Sequence, residues 1–164
     1  MKILDHKAIQ QKTKRLAIEI IEDNYGEEEI ILAGINNNGM IFAQMLHDEL
    51  VKVTDVKLKL TQLKINPADP LGHDIVFGMP IQEIKNKVVI VVDDVANTGR
   101  TIFYACKPLL ETLPKKVEVA VLVDRQHKSF PVKVDYVGLS LATTLKENID
   151  VQIKDLEEFA VFLN

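Results

Sequence analysis

Two adjacent carboxylates, Asp93 and Asp94, end the apolar run Val88-Val89-Ile90-Val91-Val92 and lead into Val95-Ala96-Asn97-Thr98-Gly99-Arg100-Thr101. An apolar run of this length predicts a buried strand, and the small polar residues after it predict a turn that opens a helix. Backbone N–H groups at such a helix start, with the Thr98 and Thr101 hydroxyls, suit an anion such as a phosphate. Gly99 lets the backbone approach the anion closely, and Arg100 either adds charge or faces solvent. The two acids repel a phosphate. They suit hydroxyl donors or a hydrated divalent cation. The ligand these residues describe has a phosphate at one end and neighbouring hydroxyls close by, as a phosphorylated sugar does. The blander alternative, a helix cap beside a solvated turn residue, accounts less well for two acids, two threonines and a glycine in this order.

The elements that must position this turn follow from the pattern of apolar residues. Asp5 is an N-cap for a helix with Ile9, Leu16, Ile20 and Ile21 inward, stopped by Asn24-Tyr25-Gly26. Glu29-Ile30-Ile31-Leu32-Ala33-Gly34 reads as a buried parallel strand, and Asn36-Asn37-Asn38-Gly39 as a polar turn before a second helix. Alternation over Val51–Leu63 predicts a strand. Residues from Asn66 to Pro80 hold three prolines and two glycines with little periodicity, so they read as a long mobile loop, a lid over roughly 64–82. A helix is expected from Arg100 to Leu113 with Phe103, Cys106, Leu109 and Leu110 inward, ended by Pro114. Strands follow at Val117–Val123 and Val134–Val137, and 149–153 and 159–162 are candidate edge strands. Strands alternating with helices predict an α/β domain with a mostly parallel sheet.

Composition bounds the function classes. The chain has 164 residues, 20 Lys+Arg against 24 Asp+Glu, 47% hydrophobic residues and one cysteine. That length and balance fit one domain over 1–164 with a full core. One cysteine excludes an internal disulfide framework. A net charge of −4 argues against a generally basic nucleic-acid-coating protein. No apolar run nears the ~20 residues that span a bilayer, and Met1-Lys2-Ile3-Leu4 runs directly into charged residues, so a cytoplasmic chain without membrane contact is expected. His6, His47 and His73 lack metal-ligand spacing, and Cys106 reads as a buried structural thiol. Neither a GxSxG elbow nor a Walker A sequence occurs.

The stretch from Val88 to Thr101 resembles the phosphoribosyl-pyrophosphate (PRPP) signature of type I phosphoribosyltransferases. Ile3-Leu4-Asp5, Ile31–Ile35, Ala120–Lys128 and Asp135–Gly138 resemble the PyrR group within that family, pyrimidine-operon attenuators that are also uracil phosphoribosyltransferases. The similarity covers most of the chain and is poorest over 64–86. It implies a type I phosphoribosyltransferase fold, a twisted and mostly parallel sheet flanked by helices. It implies transfer of ribose 5-phosphate from Mg²⁺-bound PRPP to a nucleobase, uracil first, with pyrophosphate released. By analogy Asp93 and Asp94 hold the ribose hydroxyls, and through PRPP its Mg²⁺. Ala96, Asn97, Thr98, Gly99, Arg100 and Thr101 hold the 5′-phosphate. Gly34-Ile35-Asn36-Asn37-Asn38-Gly39 takes the place of the pyrophosphate loop, and Leu141-Ala142-Thr143-Thr144, within 139–145, flanks the base. The family is commonly dimeric or higher.

Three departures accompany the resemblance. The pyrophosphate loop has three asparagines where the group carries Lys or Arg, so it lacks a fixed charge. Lys64 is the nearest lid residue to replace a family arginine, and its ammonium is a poorer clamp than a guanidinium. Asn97 stands where purine enzymes place Asp and the PyrR group a bulky residue, which leaves the base open. The PyrR group binds RNA through basic residues, here represented by Lys14, Arg125, His127, Lys128 and Lys133. Overall acidity and Leu139 after Gly138 favour a solvated rim over an RNA surface.

Overall fold

The computed structural model describes residues 1–144 and 146–164. Helix α1 (His6–Asp23) starts where the Asp5 carboxylate accepts the Ala8 N–H at 2.8 Å, and it ends at Asn24 before Gly26, whose φ is +82°. It buries Ile9, Leu16 and Ile20. Strand β2 (Glu29–Ile35) is buried throughout and runs directly into α2 (Asn36–Leu50). The expected polar turn at 36–39 is therefore the first turn of a helix. Two glycines allow this. A Cβ on Gly34 would lie 2.5 Å from the Met40 Cα, and one on Gly39 2.7 Å from the Val92 carbonyl oxygen, so α2 leaves β2 in contact with the neighbouring strand.

Strand β3 (Lys57–Lys64) begins later than the alternation from Val51 suggests. Val51 and Val53 are exposed in the turn after α2, where the chain reverses towards the sheet. The segment expected to be a loop contains a short strand, β4 (Val76–Phe77), antiparallel to Leu63–Lys64. A 3₁₀ turn (Ile81–Ile84) precedes β5 (Val88–Ala96), which continues through both aspartates instead of stopping before them. The expected Arg100–Leu113 helix divides into α3 (Arg100–Ala105) and a 3₁₀ segment (Lys107–Glu111). Pro108 has no N–H for the next helical bond, which explains the break. Within α3 the buried face is that of Ile102 and Ala105, so Phe103, a helical step away, is exposed rather than inward, and past the break Leu109 is buried while Leu110 is exposed.

Strands β6 (Lys116–Arg125) and β7 (Tyr136–Leu141) complete the main sheet, whose order is β4-β3-β2-β5-β6-β7 with every pair parallel except β3–β4. Successive strand residues face opposite sides. Ile30, Leu32, Val88, Ile90 and Val92 join the core under α1 and α2, and Ile31, Ala33, Val89 and Val91 the core under α3. Strands β8 (Ile149–Gln152) and β9 (Ala160–Leu163) do not extend this sheet. They pair with β1 (Lys2–Leu4) in a separate three-stranded sheet. No helix among the described residues is long and apolar enough to cross a membrane.

The chain leaves β2 for β3 on one side and returns to β5 on the other. The C-terminal ends of β2 and β5, adjacent in the register Gly34↔Val92, therefore form a switch point, where parallel sheets leave a crevice.

Candidate active site

At that crevice Asn36, Asn37, Asn38, Asp93, Asp94, Val95, Asn97 and Thr101 line one cleft of about 440 Å³, with Ile35, Pro67 and Ile149. A hollow of about 40 Å³ adjoins it, made only from residues Val95 to Ile102. The acids, the phosphate-type turn and the asparagines expected from sequence thus share one place. A larger groove of about 560 Å³ lies across α3 and is mainly apolar, without the paired acids or the amides.

Asp93 is only 8% exposed, and its Oδ1 accepts the Asp94 N–H at 2.9 Å. Burial, reinforced by the charge of Asp94, holds its carboxyl well above the usual carboxylate range. Asp94 is less enclosed. Its Oδ1 accepts the Val95 N–H at 2.9 Å, and its Oδ2 accepts the Asn38 amide at 2.9 Å. The pair combines a reluctant, enclosed acid with a half-buried and oriented one, a set suited to polar hydroxyls.

Two of the three asparagine amides are already engaged. Asn36, with φ +51°, donates to the Ile65 carbonyl at 2.9 Å and accepts the Ile65 N–H at 3.0 Å, fastening the end of β3 to the start of α2. Asn38 is tied to Asp94. Among the described residues Asn37, which is exposed, has no such bond. Of the three side-chain amides in the 34–39 loop, Asn36 and Asn38 thus hold the frame and that of Asn37 is left to meet a ligand. Gly34 and Gly39 are buried and permit close packing.

In the turn itself, Gly99 has φ +86° and Thr98 Oγ1 accepts the Arg100 N–H at 3.4 Å. The Thr98 carbonyl accepts the N–H groups of Ser129 and Phe130, so the 129–130 segment braces the turn from behind. Helix α3 has only six residues, so its dipole is short and an anion at this turn would depend on the loop N–H groups and hydroxyls. Arg100 is exposed. Lys64 lies outside this cleft, in an adjoining recess of about 480 Å³ that shares Asn36 and Asn37 with it.

The basic residues divide into two sets. Lys14, His127 and Lys133 are exposed and do not line the cleft. Arg125 and Lys128 are committed inside the chain. The Arg125 guanidinium bonds Thr143 Oγ1 at 2.6 Å, Thr144 O at 2.7 Å and Asn97 Oδ1 at 3.3 Å, and the Lys128 ammonium pairs with Asp124 at 2.6 Å and bonds the Arg125 carbonyl. Sequence reasoning missed this link between Arg125 and the cleft. The signal was the register Ala96↔Asp124, which sets Asn97 next to Arg125, and register is invisible before the strand order is known. The last residue of the stretch expected to flank the base, position 145, lies outside the described residues. Cys106 is partly buried and its thiol is pushed up to about 11 by desolvation, as suits an inert side chain.

A phosphoribosyl transferase domain model matches residues 1–156. The chain is 38% identical to the Bifunctional protein PyrR of Clostridium acetobutylicum, over 96% of this chain and 92% of that one, and 32% identical to that of Macrococcus caseolyticus, over 95% and 93%. It belongs to the phosphoribosyltransferase family, in its PyrR branch. Solved structures agree on the fold. A hypoxanthine-guanine phosphoribosyltransferase from Bacillus anthracis superposes with a TM-score of 0.72 at 23% identity, over 85% of this chain and 81% of that one. A hypoxanthine phosphoribosyltransferase from Staphylococcus aureus gives 0.71 at 21% identity, over 86% and 77%. The fold is thus that of the type I phosphoribosyltransferases.

Proposed function

We propose that residues 1–164 act as one phosphoribosyltransferase unit that binds PRPP and transfers its ribose 5-phosphate to uracil. The observation that supports this most directly is the shared cleft: an acid pair suited to a diol, a small adjoining hollow made from the same turn, and a free amide at Asn37. In this reading Asp93 and Asp94 take the ribose hydroxyls, and the backbone and hydroxyls of Ala96–Thr101 take the 5′-phosphate. Asn37, with Lys64 at the end of β3 where the 64–82 lid begins, takes the pyrophosphate. The base nitrogen forms its bond to C1 while the bond from C1 to the pyrophosphate oxygen breaks, both electrons leave with pyrophosphate, and the nitrogen loses its proton. The protein's part is to align these groups and exclude water.

Mg²⁺ belongs to this reading as a companion of PRPP. Among the described residues no three His, Cys, Asp or Glu side chains gather to hold an ion. A donor set of two carboxylates, one of them bonded to an amide, fits an ion that arrives on a diphosphate and keeps much of its water. Bound there, it would neutralise charge on the leaving group. A cytoplasmic location and a homodimer or higher assembly complete the proposal, and Phe103, Leu110 and Val117 offer an exposed apolar flank on the groove across α3.

A second reading, an RNA-binding attenuator of pyrimidine genes, rests on the PyrR kinship and on the exposed Lys14, His127 and Lys133. With Arg125 and Lys128 engaged internally it has fewer free cations, so we place it second. Incubation with Mg²⁺, PRPP and each nucleobase, with pyrophosphate measured, tests the proposal. Turnover with uracil supports it. PRPP binding without turnover indicates a nucleotide sensor, and salt-sensitive binding of pyrimidine leader RNA without turnover indicates an attenuator.

A further inference from the structure

Strands β5 and β6 run parallel with Ala96 opposite Asp124, so the next residues, Asn97 and Arg125, stand side by side just past the strand ends. Arg125 uses three nitrogens there: Nε on Thr143 Oγ1, Nη2 on the Thr144 carbonyl and Nη1 on Asn97 Oδ1, at 2.6, 2.7 and 3.3 Å. Thr143 is 8% exposed, so one end of this fork is anchored in the interior. A guanidinium carries donors only. The atom of Asn97 that faces it must therefore be the amide oxygen, and the other end of the amide, Nδ2, is the one left over. Among the described residues nothing accepts from Nδ2, and Asn97 lines the cleft that holds Asp93 and Asp94.

We propose that Arg125 is a positioning residue that commits the Asn97 amide to donate, so that the site selects a base presenting a carbonyl over one presenting an amine at the same place. This rests on the phosphoribosyltransferase reading above, because the base projects from the ribose carbon next to the diol and so reaches the wall beside Asp93 and Asp94. A carbonyl accepts from Nδ2. An exocyclic amine, itself a donor, leaves both groups unpaired, and a site built to make a hydrogen bond strongly rejects the analogue that cannot make it. Asn97 is exposed, so the bound ring itself must exclude the water that would otherwise soften this choice.

Binding of ribose 5-phosphate, UMP and CMP to the full chain, measured by calorimetry, tests the inference. Wild type should bind UMP roughly tenfold or more tightly than CMP. Asn97→Asp replaces the donor with an acceptor and should bring that ratio to one or below. Arg125→Met frees the amide to rotate and should lower the ratio too, whereas a merely structural arginine would weaken both nucleotides alike and leave it unchanged. Equal affinities in wild type, a preference for CMP, or a ratio that survives both substitutions would overturn the inference while ribose 5-phosphate still binds. Failure of ribose 5-phosphate to bind wild type would overturn the function as well. If Asn97→Asp does not fold, the wild-type ratio and Arg125→Met decide.

Discussion

Asn38 Nδ2 donates to Asp94 Oδ2 across 2.9 Å, joining the first turn of α2 to the end of β5. The bond couples the loop in the place of the family's pyrophosphate loop to the acid pair proposed to hold the ribose. Asn38→Ala should raise the KM for PRPP about tenfold, the equivalent of one hydrogen bond to a charged group. With Asp94→Asn added, a double-mutant cycle should show non-additive losses. Additive losses would mean that the two groups act separately.

Asn37, not its neighbours, is the position at which a cation should help. Asn37→Lys should increase kcat several-fold by adding a charge where pyrophosphate is proposed to leave. Asn36→Lys should instead destabilise the chain by about 2 kcal/mol, since it removes both bonds to Ile65 and puts lysine at φ +51°. Steady-state kinetics on the first and thermal melts on the second separate the two roles.

Lys64 sits in the recess that shares Asn36 and Asn37 with the cleft. Lys64→Ala should lower kcat while UMP binding barely changes, because UMP carries no pyrophosphate. Equal losses in both would remove Lys64 from the leaving-group role.

The buried Asp93 carboxyl carries a raised pKa, so it favours the fold when protonated. That contribution is full below the ordinary carboxylate range and is lost as pH rises through the raised value, after which a buried charge remains. Asp93→Asn, which keeps an oxygen for the Asp94 N–H, should therefore melt higher than wild type at pH 7, with the gain shrinking towards pH 4. Activity should fall. A gain that grew on acidification would reverse the sign assigned to this group.

Far from the cleft, Tyr136 OH donates to Glu118 Oε2 at 2.8 Å, and Asn24 Nδ2 donates to Glu118 Oε1 at 2.9 Å, pinning the end of α1 to β6 and β7. Tyr136→Phe should cost about 1–2 kcal/mol, a Tm loss of roughly 2–8 °C, with kcat/KM for PRPP retained. Chemical denaturation alongside the kinetic assay checks both halves.

Much of this molecule was legible in its residue order because the signals were local. The apolar run from Val88 to Val92 announced β5, and the order of residues from Asp93 to Thr101 announced the turn that lines the cleft. Asp5 and Asn24 marked both ends of α1, where a single side chain meets a single N–H or halts one turn. The helix break at Pro108 was also local, yet the apolar spacing on either side masked it and placed Phe103 and Leu110 inward.

Strand order, the separate sheet of β1, β8 and β9, and the partners of Asn36, Asn38 and Arg125 were decided only by tertiary structure. Each depends on residues far apart in the chain that meet through strand register, as Asn38 meets Asp94 and Arg125 meets Asn97. The residue types alone told which groups could donate, accept or carry charge. Whether an amide remained free for a ligand was set by close packing: at Gly34 and Gly39 the fold brings α2 onto the strand ends, and two of three asparagines are used up there in holding it.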